Sequence, residues 1–166
     1  MNRQVKVIQD FLPENLHNEI YNVLTNNKFP WYYSSSVSSE LEPKNKKDFF
    51  FYHNLYLQNY VSNDYFHQLL MPILGRLNFN YIIRSKINLY PKKEEPFVHD
   101  LHTDFQTNHM VALYSVNTNN GSTVFEGGEK VSSKANELLL FDGSIKHASC
   151  VQTDENVRIN IVVNFK

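Results

Sequence analysis

Val157-Arg158-Ile159-Asn160-Ile161-Val162-Val163-Asn164-Phe165 decides the architecture, because Arg158, Asn160 and Asn164 fall on one face with Val162 while the other face is wholly apolar. Alternation at period two marks a β-strand whose faces meet different surroundings. An earlier run repeats it, with Arg84, Lys86, Asn88 and Tyr90 on one parity against Ile83, Ser85, Ile87 and Leu89. Strand-like runs recur at 81–90, 109–117, 122–126, 137–141, 147–152 and 157–165, separated by Asn-Asn-Gly, Gly-Gly, Asp-Gly and Thr-Asp-Glu-Asn turns. The C-terminal half therefore reads as all β, a sandwich or barrel.

The N-terminal half reads differently. Val5, Val7 and Phe11 alternate as a short strand would. Pro13 then suits a first helical turn, and Leu16, Ile20, Val23 and Leu24 recur at helical spacing up to a stop at Asn26-Asn27. Phe49 to Leu57 is strand-like, and Ser62 can cap a second helix through Tyr65, Phe66, Leu69, Leu70 and Ile73, which Pro72 kinks or ends. Between these, the stretch from Ser34 to Asp48 holds five serines and several charges with no apolar period, and reads as a mobile loop.

The 166 residues suit one domain spanning 1–166, with 1–80 as helical support and a substrate-facing loop and 81–166 as the β core. Hydrophobic residues at 42% and aromatics at 14% exclude a disordered chain. A formal net charge of -1 gives no field for a polyanion, so nucleic acid is not an expected partner. Cys150 is the one cysteine, and its expected role is that of a small buried hydrophobe. No apolar run approaches the ~20 residues of a membrane span, and the first ten residues lack a signal-peptide core. The expectation is a cytoplasmic protein without a membrane segment, as a monomer or weak dimer.

In Phe97-Val98-His99-Asp100-Leu101-His102-Thr103-Asp104, residues two apart on extended backbone point the same way, so His102 and Asp104 can meet one cation. His147, 43 positions beyond Asp104 and just past a buried strand and turn, is the expected third ligand. Two imidazoles and one carboxylate on one face of an octahedral Fe(II) leave three positions for a chelating 2-oxo acid and O2. Spacing leaves His99, Asp100 and His109 open as competing ligands.

Arg158 follows His147 by 11 residues, enough for a strand, a turn and a return towards the metal. Its planar guanidinium can grip a distal carboxylate with two parallel hydrogen bonds, and the Tyr90 hydroxyl can add another. For Arg84 and Lys86 a role in the site and simple exposure of that sheet face to water stand equally open.

Arg84-x-x-x-Asn88-x-Tyr90-Pro91, His102-x-Asp104, Gly121-Ser122-Thr123, His147 and Arg158 together resemble the Fe(II)/2-oxoglutarate-dependent oxygenase superfamily, and within it the prolyl 4-hydroxylase-like branch. The resemblance spans about 81 to 165 and implies a mostly β protein with N-terminal helices: a double-stranded β-helix (jelly-roll, cupin-like) core buttressed by two or so α-helices. It implies His102, Asp104 and His147 as metal ligands and catalytic centre, and Arg158, Tyr90, Asn88 and Asn160 around the co-substrate. It also implies Fe(II), 2-oxoglutarate and O2, with ascorbate as reductant. Asn88-x-Tyr90 and Arg158-x-Asn160 are similar to the nucleobase-demethylase branch too, but Asn164 stands where that branch has a second arginine.

The expected activity is hydroxylation of a C–H bond in a prolyl or other residue of a protein or peptide, with Trp31 and the Ser34 to Asp48 loop as substrate-facing elements. A small metabolite or free amino acid as substrate is the alternative, and a non-catalytic metal- or ligand-binding jelly-roll the rival. Phe97, Tyr114 and Phe125 are weighed as pocket lining against the simpler reading of core.

Overall fold

A computed structural model describes residues 5–36, 49–57, 59–61 and 63–166. The alternating segment forms β12 (Val157–Phe165), which lies between β5 (Ile82–Pro91) and β7 (Met110–Ser115) in an antiparallel sheet. β10 (Glu137–Asp142) and β1 (Lys6–Ile8) extend this sheet past β7. β3 (Phe50–Leu57), with β4 (Tyr60–Val61) folded onto it, and the edge strand β2 (Tyr32–Ser34) extend it past β5. A second sheet holds β6 (Phe97–Val98), β11 (His147–Val151), β8 (Ser122–Phe125) and β9 (Lys130–Ser132), in that order.

From β5 onward the chain alternates between sheets: β5, β7, β10 and β12 in the large one, β6, β8, β9 and β11 in the small one. That is the double-stranded β-helix, and its two sheets enclose the polar parity of β5 and β12. The apolar parity faces outward but is also buried. Ile159, Ile161, Val163 and Phe165 pack with Ile87, Ala112 and Tyr114 against the helical layer. Both faces of β12 being covered, its inner polar groups meet a cleft rather than bulk water.

Helix α1 (Glu14–Leu24) follows Pro13, whose ψ of 140 keeps the chain extended up to the first turn. Glu14 in that turn complements the positive end of the helix, and Ile20 and Leu24 are buried against the sheet. Burying each side chain contributes roughly 1.5–3 kcal/mol. The second helical segment comprises α2 (Asn63–Tyr65), a π-helical turn (Phe66–Leu70) and α3 (Met71–Leu74). The wider turn stands immediately before Pro72, whose ring excludes a regular bond one turn back. Pro72 thus widens this helix without ending it, and the segment runs on to Gly75. Ser62 lies outside the described residues.

The short strands β2, β4, β6 and β9 were not expected from periodicity, since two or three residues carry no period. Trp31 departs from the substrate-facing expectation: it packs on the Phe29 ring, 4.8 Å away, and against the core beneath the helices. Within the Ser34 to Asp48 loop, residues 37–48 lie outside the described residues. No described helix is long and apolar enough to cross a membrane.

Candidate active site

His102 and His147 face each other across a two-bond backbone bridge, His102 N to His147 O at 3.0 Å and His147 N to His102 O at 2.9 Å. Such pairing fixes opposed Cα atoms, and the rings stand 5.0 Å apart. Asp104, two residues on, brings Oδ2 to 3.9 Å from His147 Nε2. The three ligand atoms lie within 4.8 Å of one another.

The other ring nitrogens set the tautomers. Nδ1 of His102 lies 3.1 Å from the Asp100 carbonyl, and Nδ1 of His147 lies 3.1 Å from that of Ile145. A carbonyl only accepts, so each Nδ1 carries the hydrogen and each Nε2 presents a lone pair, as metal ligation requires. Burial, with Asp104 opposing and His102 adding, holds the His147 pKa below its ordinary value, which keeps the ring neutral. Burial would raise the Asp104 carboxyl, but Arg84, His147, the Asn164 hydrogen bond and Lys86 outweigh it and hold that group well below the usual carboxylate range. The donor set fits a divalent cation such as Fe(II).

The competing ligands are elsewhere. Asp100 is exposed. His99 turns its ring to Tyr90 and Phe97, and the His109 ring fills the space that a side chain at Gly143 would need.

Arg158 is fully buried from the inner face of β12. Nε donates to Ser133 Oγ at 2.7 Å, Nη1 to Ser149 Oγ, and Nη2 to Thr123 Oγ1 at 3.4 Å, while the Tyr90 ring lies 5.5 Å from the guanidinium carbon. All three acceptors are neutral hydroxyls, and no carboxylate pairs with Arg158 among the described residues. Burial lowers its pKa, yet a guanidinium stays charged. Leaving such a charge buried and unpaired costs several kcal/mol. Gly121 belongs to this site, since a Cβ there would stand 2.8 Å from Arg158 Cδ and 2.9 Å from the Cys150 carbonyl.

One cleft joins the two ends, with His102, Asp104 and His147 at one and Arg158, Tyr90 and Thr123 at the other. Strand register orders its floor in rows: Arg84 opposite Asn164, Lys86 opposite Val162, Asn88 opposite Asn160, Tyr90 opposite Arg158. Successive rows are about 7 Å apart. Asn88 Nδ2 donates to Asn160 Oδ1 at 3.0 Å.

Arg84, for which two roles stood open, enters the site. It donates to Asp104 Oδ1 at 2.6 Å and to Asn164 Oδ1 at 3.2 Å, and Asn164 Nδ2 donates to Asp104 Oδ2 at 2.9 Å. Parity placed Arg84 and Asn164 on the inner face, but their partner comes from a loop across the cleft. Thr123 stood in the Gly121-Ser122-Thr123 motif without a role, and Ser133 and Ser149 were missed, because they belong to the other sheet and its turns. Tyr114 does not line the cleft. Its hydroxyl lies on the helical side, 2.6 Å from His17 Nδ1 and 3.0 Å from Asn136 Oδ1. Phe125 packs between the sheets, and Phe97 packs with Phe50, Tyr90 and Val151.

The sequence matches no protein-family model and no curated protein. Solved structures do match. A prolyl hydroxylase from Trichoplax adhaerens, in complex with a hypoxia inducible factor oxygen degradation domain peptide fragment, aligns at TM-score 0.69 and 13% identity, over 99% of this chain and 84% of that one. A Pseudomonas putida prolyl-4-hydroxylase aligns at TM-score 0.62 and 14% identity, over 99% and 94%. The non-heme alpha ketoglutarate dependent epimerase SnoN from nogalamycin biosynthesis aligns at TM-score 0.66 and 11% identity, over 99% and 78%. The fold is that of the Fe(II)/2-oxoglutarate oxygenases, prolyl hydroxylases among them.

Proposed function

We propose that this protein is an Fe(II)- and 2-oxoglutarate-dependent dioxygenase that hydroxylates a C–H bond of its substrate. The observation that carries the reading is Arg158: a buried cation without an acidic partner among the described residues, at the far end of the cleft whose other end gathers two imidazoles and a carboxylate. A dicarboxylate with a 2-oxo group joins the two ends. When bound, the metal and co-substrate supply the oxidative chemistry: 2-oxoglutarate, O2 and R–H give succinate, CO2 and R–OH.

The chain's own residues bind and orient. His102, Asp104 and His147 hold the metal through Nε2, a carboxylate oxygen and Nε2. Arg158, with Tyr90 beside it, grips the distal carboxylate in paired, charge-assisted hydrogen bonds. The Asn88–Asn160 pair lies between the ends and fixes the floor. Val111, Leu113, Ala148 and Val162 line the cleft with apolar surface and restrict water.

For the substrate, a prolyl or other residue of a protein or peptide is the first reading, supported by the fold shared with a prolyl hydroxylase that holds a peptide. A free amino acid or small metabolite is the second, supported by the fold shared with an epimerase of nogalamycin biosynthesis. Anaerobic Fe(II) with 2-oxoglutarate should give a visible metal-to-ligand charge-transfer band, and aerobic incubation with ascorbate should give succinate. A protein that binds Fe(II) yet gives neither band nor succinate is a non-catalytic module. Turnover of a peptide panel against free amino acids separates the two substrates.

A further inference from the structure

Besides Arg158, Lys86 is the cation lining the cleft that pairs with no acid among the described residues. It projects from the inner face of β5, in the row between Arg84–Asn164, which holds Asp104, and Asn88–Asn160. Its side chain lines the cleft and is partly exposed to it. Its ammonium sits 5.5 Å from the Phe50 ring centroid, and it forms no ion pair among the described residues. An ammonium drawn out of water without a counter-ion is costly, and an aromatic face offsets only a small part of that.

The charges of the site show what is missing. Asp104 is the one acid among the lining residues, and Arg84 already bonds to it. With a divalent metal and 2-oxoglutarate in place, the metal and Arg158 together balance Asp104 and the two carboxylates of the co-substrate. Arg84 and Lys86 remain unbalanced, and of these only Lys86 has its charged end free of an acid among the described residues. One row, Asn88–Asn160, lies between its row and that of Arg158, and the distal carboxylate of 2-oxoglutarate keeps Arg158 as its own cation.

We infer that the primary substrate is an acid, which presents a carboxylate to Lys86 Nζ while the carbon to be hydroxylated faces the metal ligands. The inference rests on the oxygenase reading and narrows its substrate. A single free ammonium matches a monoanionic group, supplied either by the α-carboxylate of a free amino acid or by an aspartyl or glutamyl side chain in a peptide.

The test loads the protein with Mn(II) and N-oxalylglycine, an unreactive mimic of 2-oxoglutarate, and titrates matched probes by calorimetry. The free-acid arm uses L-proline, L-aspartate and L-glutamate against their α-carboxamides. The peptide arm uses the same residues in blocked tripeptides, with asparagine and glutamine as neutral counterparts. At least one acid should bind ten times or more tighter than its amide, and the arm in which it does so names the source. Lys86→Met should erase that preference and Lys86→Arg restore it, while N-oxalylglycine affinity stays within about threefold. The inference is overturned if no acid outbinds its amide, or if Lys86→Met weakens N-oxalylglycine tenfold, which would make Lys86 a co-substrate residue. Wild-type protein that takes up no N-oxalylglycine instead removes the oxygenase reading, and this inference with it.

Discussion

Arg84 Nη2 stands 2.6 Å from Asp104 Oδ1, and Asn164 donates to Oδ2 at 2.9 Å, so the carboxylate is held at both oxygens before any metal arrives. Oδ2 is the oxygen turned to His147. The pair therefore does two jobs: it keeps the acid ionised, and it presents one chosen oxygen to the imidazoles.

Removing Arg84 tests this coupling. With both side chains largely buried, Arg84→Met leaves a carboxylate without its cation, at a cost of about 3 kcal/mol in the metal-free fold. Mn(II) then supplies the missing charge, so it should raise the melting temperature of Arg84→Met more than that of wild type. Thermal unfolding with chelator and with Mn(II) gives both shifts. Equal shifts would mean that Arg84 plays no part in balancing Asp104.

Gly121 transmits sequence to site through space alone. A methyl group there meets Arg158 Cδ, Asn119 Oδ1 and the Cys150 carbonyl, all at 2.9 Å or less, and backbone cannot step aside cheaply. Gly121→Ala should displace the guanidinium and weaken N-oxalylglycine at least tenfold, about 1.4 kcal/mol, with Mn(II) affinity unchanged. Calorimetry on both ligands reads the split. Parallel losses would point to general misfolding.

The bridge between His102 and His147 is made by main-chain atoms, so the ring can be removed without opening it. His102→Ala should therefore keep its far-ultraviolet circular dichroism and melting temperature in chelator, yet lose both the charge-transfer band and succinate formation. Retention of the band would remove His102 from the metal.

How much of this was legible depends on what each residue answers to. The floor of the cleft was readable because β5 and β12 alternate strictly, Arg158 and Asn160 against Ile159 and Ile161, under a burial constraint that acts at period two. β11 carries no such signal, since His147 to Val151 is buried on both faces. Ser149 was accordingly invisible as a partner of Arg158. The choice of Asp104 over Asp100 was equally beyond spacing, because both share the parity of His102. The fold decides it, turning Asp104 to His147 and binding it to Arg84 and Asn164 while Asp100 is exposed. Arg84 and Lys86 stood open because parity states which face a residue takes and not whether that face is wet.

Lys86 also predicts a trade between stability and binding. Burial, with Arg84 adding and Asp104 opposing, pushes its pKa from the ordinary 10.5 down to about 8. Between those values the unfolded chain holds a proton that the fold does not, so stability rises with pH across that window. Below about 8 the lysine stays protonated in both states, and the fold bears the full penalty of about 3 kcal/mol, at roughly 1.4 kcal/mol per pH unit. Lys86→Met removes that penalty and forfeits about 0.5–1 kcal/mol of contact with Phe50, for a net gain of about 2 kcal/mol at pH 7. Urea unfolding should show this gain at neutral pH and its disappearance as pH approaches the ordinary lysine value. A variant less stable than wild type at pH 7, or a difference that ignores pH, would mean that the ammonium is already well solvated in the cleft, and a stabilising change there would mark a charge kept for a ligand.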